Sequence, residues 1–120
     1  MKTSFSLLLA FFFTITAVSQ DYAIEQLESS PRHHEWVKLE SNGRTMHNFV
    51  AYPERSDKAP VFIEIHENRG LNDWARSFTD QLAGEGFIAI APDIISNTVD
   101  GITKTTDFAT SDAAREAIYA

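Results

Sequence analysis

The residues best placed to do chemistry lie in Val61-Phe62-Ile63-Glu64-Ile65-His66-Glu67-Asn68-Arg69-Gly70-Leu71-Asn72. An apolar run gives way there to a short polar loop, which feeds a helix. Glu67 is a carboxylate at the carboxyl end of what should be a buried strand, the place where open parallel sheets bind ligands. It has a plainer alternative, as a loop acid that caps the following helix or pairs with Arg69. The Arg69 guanidinium matches carboxylate geometry and could hold an acidic substrate, or it could form a salt bridge with Glu67 or Asp73. His66-Glu67 does not extend to a zinc-protease motif, which needs a second His at position 70, where the chain has Gly. The chain has no Cys and no G-x-S-x-G, so no recognisable nucleophile.

The flanking pattern says what holds this loop. Glu35–Glu40 suits a strand, Ser41-Asn42-Gly43-Arg44 is a tight-turn signal, and Thr45–Tyr52 returns as the second strand of a hairpin. Val61–His66 is the third strand. Asn72 or Asp73 caps a helix whose Trp74, Phe78 and Leu82 recur at i, i+4 and i+8, a stripe expected to pack on the sheet. Gly84 and Gly86 stop that helix. Phe87–Ala91 is an apolar strand of the kind covered by helices on both faces. Ser96–Thr110 reads as a polar loop, and Ser111 as the N-cap of a last helix. Glu64 interrupts the apolar run: it either pairs with His66, two residues on, or marks partial exposure of its strand. His33-His34 is expected to be a solvated pair and His47 a surface residue.

Composition bounds the partners. The net charge is −7, and Lys2 is the sole charge of residues 1–19, so the remainder carries −8. That argues against nucleic acid and anionic membrane surfaces. Met1-Lys2, the apolar run Leu7–Val18 and the small residues Ala17 and Ser19 read as a cleaved signal peptide. The expected organisation is therefore a signal at 1–19, a polar lead-in at 20–34 that could form a short helix, and a domain from 35 to 120. Export to a periplasm or beyond follows, with no stable membrane anchor.

A hairpin followed by strand, helix, strand and helix is how an α/β-hydrolase begins. His66-Glu67-Asn68-Arg69-Gly70-Leu71-Asn72, Leu82-Ala83-x-x-Gly86-Phe87 and Ala89-Ile90-Ala91-Pro92-Asp93 resemble the dienelactone hydrolase-like proteins. The likeness runs from about Val37 to the last residue, and the tail from Thr105 to Tyr119 looks like exported members. The resemblance implies the N-terminal portion of an α/β-hydrolase fold: an antiparallel hairpin leading into a parallel sheet, incomplete at the C-terminus. It implies an ester- or lactone-cleaving enzyme that works through an acyl-enzyme on a small-molecule substrate, with no metal or organic cofactor. In that family the glutamate matching Glu67 lies beside a cysteine nucleophile and releases it as a thiolate when substrate binds, since a thiol attacks only once ionised. The residue matching Asn68 gives a backbone N–H to the oxyanion hole. The family's nucleophile, acid and base all fall beyond the point matching Ala120. The expectation is thus a fragment that is inert alone. Two other readings stay open: an exported, non-catalytic binding module whose unfinished sheet pairs with a partner, and an inactive homologue.

Overall fold

A computed structural model describes residues 22–120, so the expected signal at 1–19 lies outside the described residues. Helix α1 (residues 22–29) comes first, followed by strands β1 (His34–Ser41), β2 (Arg44–Ala51) and β3 (Val61–Ile63). Helix α2 (Asp73–Gly84), strand β4 (Ile88–Pro92), a single 3₁₀ turn (Thr105–Asp107) and helix α3 (Ser111–Tyr119) complete the order. The sheet runs β1-β2-β4-β3; β4 is antiparallel to β2 and parallel to β3. This is an α/β fold with a hairpin leading into a parallel pair. Among the described residues, no helix is long and apolar enough to cross a membrane.

Local chemistry accounts for the element ends. Asn42 and Gly43 take φ of 51° and 76°, the paired positive values that a two-residue hairpin loop needs to match strand twist. Asn72 caps α2 by accepting the Ala75 amide at 3.0 Å. At the other end Gly86, at φ 97°, lets its own amide bond Ala83 O at 3.0 Å and the Phe87 amide bond Leu82 O at 3.4 Å, a Schellman stop. Helix α3 is capped by Thr110, whose hydroxyl accepts the Ala113 amide at 3.1 Å. The cap is one residue earlier than the expected Ser111, because Thr110 is the last residue in extended backbone.

The core corrects several expectations. The helix face on the sheet is small: Ala75 and Ala83 join Ala89, Ala91, Ala51, Phe49 and Leu71. Alanines on both sides let helix and sheet approach closely, and no room is left for an indole. Trp74 and Phe78 therefore lie on the exposed flank, stacked on each other with centroids 5.7 Å apart; only Leu82 of the expected stripe packs against the core. Strand β3 ends at Ile63, short of the expected His66, and sits at the sheet edge. Val61 and Ile63 are 58% and 60% exposed, so the described residues do not cover β3 on both faces. In β4 only alternate residues, Ala89 and Ala91, are fully buried.

The lead-in is built into the domain. Asp80 of α2 is fully buried and accepts from Ser30 Oγ at 2.7 Å, Arg32 Nε at 2.8 Å and Gln26 Nε2 at 2.5 Å. His34 Nε2 adds a contact at 2.6 Å. His34 is therefore not half of a solvated pair, although His33 is exposed. Burial alone would raise the Asp80 carboxyl, but the bonds from Arg32, His34, Ser30 and Gln26 hold it well below the usual carboxylate range.

Candidate active site

The polar loop after β3 is held at both ends by the segment that follows β4. At its start, Ile94 N donates to His66 Nε2 at 3.1 Å, and His66 Nδ1 donates to Glu67 O at 2.8 Å. At its end, Leu71 N donates to the Thr105 hydroxyl at 2.9 Å. That hydroxyl donates on to Asp93 Oδ1 at 2.8 Å, and Asp93 Oδ2 accepts the Thr105 amide at 2.6 Å. Asp93 and Thr105 are both buried, so these bonds are shielded from water and a missing partner would be costly. Between the two anchors Gly70 N closes a turn onto Glu67 O at 3.2 Å. Gly70 sits at φ 72° with Thr105 packed against it: a Cβ there would lie 2.4 Å from Thr105 Oγ1 and 2.9 Å from Ile95 Cδ1.

The rigid frame presents Glu67, Asn68 and Arg69 outward, and all three are exposed. Glu67 neither caps α2, a task Asn72 performs, nor forms an ion pair among the described residues. Asn68 N has no acceptor among the described residues, while its side chain donates to Tyr119 Oη at 3.4 Å. Glu67 and Asn68 share a groove of about 490 Å³ with His66, Ile94, Ile95, Thr98 and two residues of α3, Ala117 and Ile118.

Arg69 does not join them. It lines a separate cavity of about 330 Å³ with Asn72, Thr105, Thr106 and the start of α3. Neither of its expected salt bridges forms among the described residues; Asp73 is taken instead by Arg76.

Glu64 resolves toward partial exposure of its strand. Both ring nitrogens of His66 are spent on backbone, so no Glu64–His66 hydrogen bond forms. Glu64 Oε2 is buried without a partner among the described residues. Burial raises its carboxyl above the ordinary glutamate range. Glu64 and Glu67 meet across a small cavity of about 180 Å³ with Gly70 and Asn72.

His47, expected at the surface, is buried: its amide bonds Ser96 Oγ at 3.1 Å and its carbonyl accepts the Asp93 amide at 2.8 Å. Burial lowers its pKa, helped by Lys104 and Lys38. Its backbone carbonyl thereby holds Asp93 just past the end of β4.

A sequence model of the dienelactone hydrolase family matches residues 46–118, more than half of the chain. The chain belongs to the dienelactone hydrolase family. Among curated proteins, "Putative hydrolase fragment YghX" of Escherichia coli strain K12 is 36% identical over 47% of this chain and 48% of its own length. "Putative carboxymethylenebutenolidase" of Saccharolobus solfataricus is 38% identical over 57% of this chain and 26% of its own length. The chain thus spans about half the length of one relative and a quarter of the other. No solved structure matches it significantly. The dienelactone hydrolase match takes in the whole Glu67 loop together with Asp93 and Thr105. Sequence reasoning placed Glu67 and Asn68 on this loop but missed its supports: His66, Asp93 and Thr105 all sat inside quoted motifs. The one available signal was a charged residue, Asp93, directly after an apolar strand that should otherwise end in solvent.

Proposed function

We propose that this chain is the switch-bearing part of an exported hydrolase that cleaves an ester or lactone through an acyl-enzyme. Glu67 controls ionisation of a nucleophile supplied from outside these 120 residues, and the Asn68 N–H is one donor of the oxyanion hole. Arg69, on the neighbouring cavity, binds an acidic group of the substrate. The substrate is a small molecule, reached in a periplasm or outside the cell.

One observation carries the proposal: a loop fixed at both ends offers, among the described residues, a carboxylate without an ion pair next to a residue whose backbone N–H has no acceptor, and both residues line one groove.

The test compares the protein as its gene encodes it with Glu67→Gln, using a small aryl ester and an unsaturated lactone. Losing the switch should lower kcat by about 10²-fold, the scale of a lost general acid–base group, with an unchanged denaturation midpoint. Residues 1–120 alone should give no turnover. If these residues cleave the ester and Glu67→Ala abolishes it, the nucleophile lies among them and the proposal fails.

The exposed apolar edge of β3 favours a second reading, a binding module that adds a partner's strand there. Strand addition would then occur whether or not Glu67 is present.

A further inference from the structure

We infer that His66 is a positioning residue for the oxyanion donor, fixing both the direction and the strength of the Asn68 N–H. The inference rests on the reading of Asn68 given above.

The tautomer of His66 follows from its partners. Ile94 N can only donate, so Nε2 must be the unprotonated nitrogen. Glu67 O can only accept, so Nδ1 must carry the hydrogen. His66 is therefore held as the neutral Nδ1–H form by two backbone groups from different elements. An imidazolium would forfeit the bond from Ile94.

This ring acts on Asn68 through one peptide unit. Glu67 O and Asn68 N belong to the same planar amide, and in a trans peptide the C=O and N–H point in opposite directions. Every peptide of the described chain is trans. Pinning the carbonyl thus aims the N–H away from the imidazole. The pin has two parts: His66 at 2.8 Å and the Gly70 amide at 3.2 Å. The shorter bond comes from a side chain anchored to Ile94, just past β4, whereas the Gly70 bond lies wholly within the loop.

The same contacts strengthen the donor. Ile94 N–H, the imidazole, the Glu67 carbonyl and the Asn68 N–H form a continuous chain in which each bond polarises the next. An N–H whose own carbonyl is hydrogen-bonded is a better donor to a developing oxyanion. Preorganised donors of this kind act without reorganisation at the moment of reaction.

The ring also joins the two halves of the βαβ unit directly. Ile94 follows the Pro92-Asp93 end of β4, and Asp93 holds the far end of the loop through Thr105. The segment Asp93–Ile94 therefore fixes both ends of residues 66–71, and His66 is the end nearer the reacting atoms.

Two substitutions separate positioning from simple packing. His66→Leu fills the space but leaves Ile94 N and Glu67 O unpaired. His66→Gln can offer an N–H to Glu67 O and an oxygen to Ile94 N. In the ¹⁵N-labelled protein as its gene encodes it, the neutral wild-type imidazole should show a protonated Nδ1 and a bare Nε2. His66→Leu should move the amide resonances of Asn68, Gly70 and Ile94 while those of β1 and β2 stay in place, and His66→Gln should return them toward wild type. In the protein as its gene encodes it, His66→Leu should lower kcat at least tenfold with KM changed less than threefold, and His66→Gln should recover most of the loss. An Nε2–H tautomer, or an unmoved Asn68 amide in His66→Leu, overturns the inference. So does a Leu variant that keeps full kcat. If the resonances behave as expected but the wild-type protein cleaves no ester or lactone, the hydrolase reading fails, and the oxyanion role of His66 falls with it.

Discussion

Asp93 grips Thr105 twice, taking its amide at 2.6 Å and its hydroxyl at 2.8 Å, twelve residues along the chain. The hydroxyl is used a second time as the acceptor for Leu71 N, so a single oxygen couples the end of β4 to the end of the Glu67 loop. Thr105→Val keeps the shape and removes that oxygen. It should destabilise the protein by about 2–3 kcal/mol, the cost of leaving buried polar groups unpaired. Thr105→Ser should recover most of it. Urea midpoints at constant m-value read both.

Gly70 cannot be replaced quietly. Its positive φ and the 2.4 Å approach of a would-be Cβ to Thr105 Oγ1 act together. Gly70→Ala should cost about 2–4 kcal/mol, combining left-handed backbone strain with overpacking. The same substitution at Gly43, whose Cβ would meet nothing within 4 Å, should cost only about 1 kcal/mol. Equal costs at the two sites would show that Thr105 does not pack against Gly70.

The Asp80 clamp sets an acid limit. Its carboxyl is held below the ordinary carboxylate range by Arg32, His34, Ser30 and Gln26 despite burial. The stability it contributes is therefore present above its unfolded-chain pKa of about 3.9 and is lost as pH falls from there toward the folded value. The denaturation midpoint should fall progressively once the pH drops below about 4. Asp80→Asn should lose about 3 kcal/mol at pH 7, because it strands the Arg32 charge, and should flatten the acid limb.

Helix α2 gives a contrast between size and importance. Trp74 is 54% exposed and stacks only on Phe78 along the flank. Trp74→Ala should cost no more than about 1.5 kcal/mol. Ala75 is buried against the sheet, and Ala75→Leu should cost about 2 kcal/mol or more by overpacking. Reversed magnitudes would put the indole back on the sheet.

What could be read in advance was local. Asn42-Gly43 encodes its turn within four residues, and Asn72 and Gly86 punctuate α2 by their own backbone chemistry. The Glu67 loop was legible because the spacing of strand, loop and helix is itself a local pattern. The failures lie where a residue's environment comes from elsewhere. His34 and His47 look like surface residues until Asp80 and Ser96 arrive from 46 and 49 positions away. The Trp74 stripe has the right period, but hydrophobic spacing does not say that small alanines will claim the contact. Asp93 and Thr105 were visible as letters, and only folding makes them partners.

The lengths of chain between strand partners also set a timetable. Ser41 meets Arg44 across two residues, whereas Val61 meets Ile88 only after α2 has formed between them. Local closures of that kind take microseconds, and parallel pairing waits on a much longer loop. The β1–β2 hairpin is therefore the seed and β3 the late arrival, so substitutions in the Asn42-Gly43 turn should slow folding while those in β3 mainly hasten unfolding. Among the described residues β3 pairs with β4 alone, so until that parallel pairing forms Val61, Phe62 and Ile63 have no strand partner.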